Sequence, residues 1–240
     1  MLRTLIGTDL WIEQTESQAF NLDTILLANF AKIPYRTKHI LDIGTGVGGL
    51  MLYLSRKTKS KITGIEIQEN RYLQAVRNIE INHLESQLSC VLSDVRELKF
   101  KDVDYIISNP PFFRVDEESH LSTTEEDMVA RHEIKLTLEE LIQKASSFLK
   151  NGGYMSLIHR PDRFEEVVKI MGNNQMVIKR IRFVHPYLHK QANHVLIEAM
   201  KNGNPGLVVE PPLILYHDKH IMTKELIQIY GGGKDVTITT

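Results

Sequence analysis

Residues 39–50 read HILDIGTGVGGL, an apolar run that enters Gly44, Gly46, Gly48 and Gly49 and leaves as a helical pattern. Glycine admits positive φ and lets a ligand approach backbone amides closely, and the start of a following helix adds partial positive charge toward an anionic group. The stretch therefore predicts a strand, a tight turn and a helix, with the turn facing a ligand. A tight turn that binds nothing would use the same glycines.

The rest of the chain repeats that alternation. Apolar runs predict strands near residues 38–43, 61–67, 88–93, 103–108, 153–159, 176–184 and 193–200. Helical spacing of apolar positions predicts helices over 23–31, 47–57, 69–83, 137–149 and 162–172. Strands separated by crossover helices build a parallel sheet, so the expected fold is α/β: a Rossmann-like, seven-stranded, mostly parallel sheet with helices on both faces. With 240 residues and 42% hydrophobic content the expected organisation is a single domain over 1–240. Within it, 1–36 form an N-terminal hairpin and helix covering the site, 37–202 the sheet core, and 203–240 a C-terminal strand and helix with a frayed end. The polar stretch 112–136 is too long for an ordinary connection and reads as a candidate lid or binding loop.

No run reaches the length of a membrane span, and the N-terminus lacks a signal-peptide pattern, so a cytoplasmic protein is expected. The single cysteine, Cys90, excludes an internal disulfide and a multi-cysteine zinc site. It reads as a core residue.

Two acids accompany the glycine turn. Glu66 closes the second strand, ITGIEI, where a carboxylate can take both hydroxyls of a ribose. Asp94 follows the third, in VLSDVREL, placed to reach the exocyclic amine of an adenine. Either could instead cap a helix. Three neighbouring strand ends carrying a glycine turn or an acid point to one shared site.

The fourth strand ends in SNPPFF, residues 108–113. Pro110 and Pro111 stop the strand and stiffen the chain beyond it. An exocyclic or amide nitrogen is a poor nucleophile because its lone pair is delocalised. The Asn109 side-chain oxygen and the Pro110 carbonyl could accept its protons and draw it toward a pyramidal form, while Phe112 offers a face for stacking a base. A proline stop with a core phenylalanine is the plain alternative.

The motif LDIGTGVG, an acid two residues before the first glycine, resembles that of the class I AdoMet-dependent methyltransferases; a dinucleotide fingerprint would run G-x-G-x-x-G. That resemblance implies S-adenosyl-L-methionine as cofactor, with Asp42, Gly44, Gly46 and Gly48 along its methionine part, Glu66 on the ribose and Asp94 on the adenine. NPPF resembles the N-P-P-[FYW] signature of amino-methyltransferases, which covers adenine-N6, guanine-N2 and glutamine-N5 methylation. QAFNLDTILLANFA (18–31), ARHEIKLTLEELI (130–142), RFVHPYLHKQANHVLIEAMKNG (182–203) and PPLILYHD (211–218) extend the likeness to the tRNA1(Val) (adenine-37-N6)-methyltransferase family. By that resemblance Asn109, Pro110 and Phe112 are catalytic, and Asn109 also adjoins the cofactor. Phe20 and Asp23, the F-x-x-D element, cover the methionine end, although Asp23 also fits a helix cap.

The expected partner is a tRNA. Ribosomal RNA, a protein glutamine or a non-catalytic role as an AdoMet- and RNA-binding protein remain alternatives. The formal charge is −1, but residues 112–128 carry −5 and the remainder +4, with basic runs at 32–39, 56–61 and 179–190. Phe113, Arg131, His132, Lys179, Arg180 and Arg182 are the candidate substrate-binding residues. His185, His189 and His194 suggest a metal set on counting alone, but Pro186 interrupts their spacing, and no metal is expected. No membrane partner is expected, and a monomer is favoured.

Overall fold

The computed structural model describes residues 2–13, 22–110, 136–218 and 221–231. Phe20, Phe112, Phe113, Arg131, His132 and most of the 112–136 stretch lie outside them. A short antiparallel hairpin, β1 (Leu2–Thr4) and β2 (Trp11–Glu13), precedes helix α1 (Leu22–Phe30). The alternation follows as β3 (His39–Ile43), α2 (Gly49–Ser55), β4 (Lys61–Glu66), α3 (Glu69–Ile81), β5 (Leu88–Leu92) and β6 (Val103–Ser108). Then come α4 (Leu138–Phe148), β7 (Leu149–His159), α5 (Phe164–Asn173), β8 (Met176–Tyr187) and β9 (His194–Lys201). The chain closes with β10 (Val208–Val209), β11 (Leu213–Tyr216) and α6 (Lys224–Ile229).

All seven expected strands belong to one sheet, ordered β5-β4-β3-β6-β7-β9-β8. β9 runs antiparallel to both neighbours, and the other pairs on that path through β7 are parallel. Among the described residues the sheet has nine strands rather than seven, because β10 and β11 both pair in parallel with β8. The tail thus supplies two short strands where one was expected, and Pro211 and Pro212 separate them. β8 also runs three residues past its expected end, through Pro186. The β8–β11 register pairs His185 with Ile214 and Tyr187 with Tyr216, and Pro186 sits between those pairs, where a missing N–H is tolerated.

Each face of the sheet is covered. One apolar cluster joins α1 and α2 to Ile40, Tyr105, Val184 and Leu196, and the other joins α4 and α5 to Leu41, Ile106, Leu157 and Ile197. Alternate strand residues therefore point to opposite layers, as both-sided burial of a parallel sheet requires. α4 opens on a capping box: the Thr137 hydroxyl accepts from Glu140 N, while the Glu140 carboxylate accepts from Thr137 N at 2.8 Å.

A buried ion pair between β8 and β9 fastens α1 to those strands. Arg180 is 6% exposed, places Nε 3.1 Å from Glu198 Oε1 and Nη2 3.0 Å from Glu198 Oε2, and donates to the Phe30 carbonyl at 2.7 Å. Its guanidinium also lies 3.7 Å from the centroid of the Phe30 ring. Tyr105 donates to the same Glu198 at 3.0 Å. These contacts correct the expectation that Arg180 binds substrate: it is a structural residue, consumed by partners inside the protein. Arg182 is also tied down, by the Pro211 carbonyl at 2.9 Å and Glu225 at 2.7 Å. Lys179 is half-buried and donates to the Asn204 carbonyl at 3.0 Å. No helix among the described residues is long and apolar enough to cross a membrane.

Candidate active site

The carboxyl ends of β3, β4, β5 and β6 meet at one rim, the usual place for a ligand in such sheets. Gly44 and Gly46 adopt φ +75° and +59°, and nothing stands within 4 Å of where a Cβ on either would be. The turn therefore presents bare backbone to open space. Gly48, at φ +85°, faces inward, its missing Cβ 3.4 Å from that of Ala75 on α3. The glycine that sequence reasoning passed over is Gly64 on β4. A Cβ there would stand 2.7 Å from Thr45 and 2.8 Å from the Met51 sulfur, so its absence lets turn and α2 settle on the sheet.

Asp42 is 1% exposed beneath this turn and accepts from the Thr45 hydroxyl at 2.6 Å. Burial raises its pKa to about 7, the Thr45 hydrogen bond opposing and the nearby Glu66 reinforcing the shift. It braces the turn from inside rather than lining the open space. Glu66, 5% exposed, is held by three backbone donors: Gly46 N to Oε2 at 2.8 Å, and Ile67 N and Gln68 N to Oε1 at 3.0 and 2.9 Å. A carboxylate has about four acceptor sites. Among the described residues Glu66 keeps room on Oε2 for one further donor, which narrows the expectation that it takes both hydroxyls of a ribose.

Asp94 lies beyond β5 and grips Arg96, whose backbone N donates to Oδ1 at 2.8 Å and whose Nε and Nη2 donate to Oδ2 at 2.8 and 2.6 Å. The Arg96 side-chain hydrogen bonds hold the Asp94 carboxyl below its usual range. The acid at this position is ionised and fixed in direction.

The other half of the rim is built from residues distant in sequence. Asp42 pairs with Ile107 across β3 and β6, so Gly44 and Asn109, each two residues on, leave the sheet side by side. The Ser108 hydroxyl reinforces this by donating to the Ile43 carbonyl at 2.8 Å. Asn109 is half-buried, and its Nδ2 donates to the Thr24 hydroxyl oxygen of α1 at 3.3 Å. That bond points the amide nitrogen toward α1 and leaves Oδ1 to face another direction. Beside Thr24, Asp23 Oδ1 lies 3.1 Å from Nε2 of His194, the first residue of β9. Burial pushes the Asp23 carboxyl up and the His194 imidazole down, and the attraction between the two opposes each shift. Sequence reasoning placed Asp23 at the site, weighed His194 only as a metal ligand, and missed Thr24. Nothing in the sequence places His194 beside Asp23, because only the reversed direction of β9 brings its first residue to this rim. No cluster of three or more metal-ligating side chains occurs among the described residues.

Residues 21–184 match the family model of the methyltransferase small domain. The chain belongs to this family. It is an enzyme of methyl transfer, and its family draws the methyl group from S-adenosylmethionine. The methyltransferase is 31% identical over 215 residues to a protein of Christiangramia forsetii named tRNA1(Val) (adenine(37)-N6)-methyltransferase, covering 86% of this chain and 88% of that one. A protein of the same name from Flavobacterium psychrophilum is 28% identical over 214 residues, 88% of this chain and 89% of the other. Among solved structures, a predicted O-methyltransferase from Agrobacterium tumefaciens superposes with a TM-score of 0.69 at 21% identity, covering 90% of this chain and all of that one. Geranyl diphosphate methyltransferase superposes at 0.57 and 13% identity, over 74% and 84% of the two chains. The fold is that of the class I methyltransferases.

Proposed function

We propose that the methyltransferase transfers a methyl group to the exocyclic N6 amine of an adenine in tRNA, adenine 37 of tRNA1(Val). The names of relatives aligned over nearly the whole chain support this reading. The observation that carries it is the Asn109 amide, held by Thr24 at the end of β6 and level with the open face of the glycine turn.

The residues present suit the cofactor. The space over Gly44 and Gly46 admits a ligand against bare backbone, Glu66 Oε2 takes one ribose hydroxyl, and Asp94 marks the adenine end. The Asp23–His194 pair closes the rim on the methionine side. Bound S-adenosylmethionine supplies an electrophilic methyl group. The chain's own task is to make an amine nucleophilic. Asn109 Oδ1 and the Pro110 carbonyl accept hydrogen bonds from the two amine N–H groups, which localises the nitrogen lone pair and orients it, and one of those protons leaves to solvent once the methylated nitrogen is cationic. Thr24 keeps Asn109 from presenting its amide nitrogen instead, which would repel the amine. No covalent intermediate on the protein and no metal enter this scheme, and the enzyme acts as a cytoplasmic monomer.

The test is incubation with methyl-labelled S-adenosylmethionine and unmodified tRNA, then digestion to nucleosides. Label in N6-methyladenosine is the expected result. Label in N2-methylguanosine, label in protein glutamine, or no label overturns it.

A further inference from the structure

The sheet topology separates the basic runs of the chain. Residues 32–39 lead into β3 and residues 56–61 into β4, so both lie at the amino ends of the parallel strands, opposite the site. Lys179 sits eight residues before Tyr187 on β8, roughly 26 Å from that strand's far end at about 3.3 Å per residue. One part of the third run does reach the site rim: the hairpin that joins β8 to β9. β9 is antiparallel to β7 and β8, and His159 at the end of β7 pairs with Val195. The hairpin tip therefore projects from the same edge as Asn109.

This tip is aromatic. Tyr216 of β11 tilts against Tyr187 with ring centroids 6.0 Å apart, and Tyr187 stacks on His189 at 6.0 Å with 26° between planes. His189 and its neighbours Leu188 and Lys190 are exposed. The tip is held in shape by Lys190 N donating to the Tyr187 carbonyl at 3.0 Å, Asn193 N donating to the Val184 carbonyl at 2.9 Å, and a 2.8 Å contact of His185 Nδ1 with the Lys190 carbonyl. Three strand spacings separate β6 from β8, about 14 Å at about 4.8 Å each. That span matches a few nucleotides of unpaired RNA. Between the two points, Arg160 follows β7 with a half-exposed guanidinium paired with Asp162 at 3.2 Å.

From this juxtaposition we propose that the β8–β9 hairpin tip is a second RNA contact: an unpaired base a few nucleotides from the methylated one stacks on His189, at the end of the Tyr216–Tyr187–His189 column, while Lys190 meets the phosphate backbone. An aromatic platform with an adjacent cation is the usual way to hold single-stranded nucleic acid without reading its sequence. This inference rests on the RNA reading of the active site but adds a surface that the methyl-transfer motif does not include.

The experiment measures transfer to unmodified tRNA by the wild-type chain first, then by His189→Ala, Tyr187→Phe and Lys190→Gln. No transfer by the wild type overturns the RNA reading and the hairpin's role with it. With a competent wild type, His189→Ala is expected to raise the KM for tRNA by about fivefold or more, the lower end of what a lost stacking contact does. Its kcat at saturating tRNA and its affinity for S-adenosylmethionine stay within about twofold, since it touches neither reacting group. Tyr187→Phe keeps the column and stays near wild type. Lys190→Gln lowers the slope of log affinity against log salt by about one. An unchanged KM in His189→Ala together with an unchanged salt slope in Lys190→Gln overturns the hairpin's role while leaving the RNA reading intact.

Discussion

The two halves of the rim are built by different means. On the β3–β4 side, backbone groups do the organising: three N–H groups hold Glu66, and the open turn depends on glycines having no side chain. On the β6 side, side chains from α1 and β9 hold one another, Thr24 with Asn109 and Asp23 with His194. A backbone-built half is rigid and local, suited to an invariant ligand. A side-chain-built half assembles only when distant segments meet, suited to the partner that varies. Damage to the first should therefore show as donor affinity or stability, and damage to the second as turnover.

The largest expected effect tests how the first half is braced. Asp42 has a pKa raised from 3.8 to about 7 by burial. Its folded pKa lies above its unfolded one, so between those values the folded state binds more protons and stability falls as pH rises. The penalty is small at pH 4 and nearly complete above pH 7, and a shift of this size is worth roughly 4 kcal/mol. Asp42→Asn removes the titration yet retains an oxygen for the Thr45 hydroxyl. Urea unfolding from pH 4 to 8 should show the variant gaining on wild type as pH rises; parallel stability curves would refute the assignment.

Next comes the second half. Asn109→Ala should lower kcat by roughly a hundredfold to a thousandfold, the range seen when a preorganised group at a reacting centre is removed. Affinity for S-adenosylmethionine by calorimetry should stay within about twofold. An equal loss in both would move Asn109 from the acceptor half to the donor half and erase the contrast.

Legibility in the sequence divides along the same line. The placement of Gly44, Gly46, Glu66 and Asp94 at one rim was legible because each closes or follows a strand, within a few residues of the motif that announces it. Asn109 was legible for the same reason. Thr24 and His194 were not, since their relation to Asn109 exists only after α1 crosses the rim and β9 inserts between β7 and β8 in the opposite direction. Arg180 misled for a physical reason: a basic residue in a basic run reads as surface, and only the strand's alternation turns it onto Phe30 and Glu198. The strands themselves were found throughout, because burial on both faces makes continuous apolar runs. β10, at two residues, carries too little pattern to be seen.

A smaller effect belongs to Glu66. Glu66→Gln places an amide NH2 where one carboxylate oxygen accepts from backbone N–H groups, and it weakens the remaining charge-assisted bonds. Affinity for S-adenosylmethionine should fall about tenfold, in line with bonds to charged groups, while kcat at saturating donor changes little. A fall in kcat with unchanged donor affinity would contradict the backbone-built half.

The finest test of the contrast is Thr24→Val, a change of nearly constant shape that removes the oxygen accepting from Asn109 Nδ2. Without it the Asn109 amide can rotate, and part of the population then presents NH2 rather than Oδ1 to the substrate amine. A neutral hydrogen bond of about 1 kcal/mol corresponds to about a fivefold loss of kcat. Donor affinity and thermal stability should hold, and Thr24→Ser, which restores the oxygen, should recover most of the rate. Recovery by serine separates orientation of Asn109 from simple packing of α1, because serine lacks the methyl group that valine keeps. If valine instead retained full turnover, or serine failed to recover it, the second half of the rim would owe its order to the fit of α1 against the sheet rather than to the Thr24–Asn109 bond.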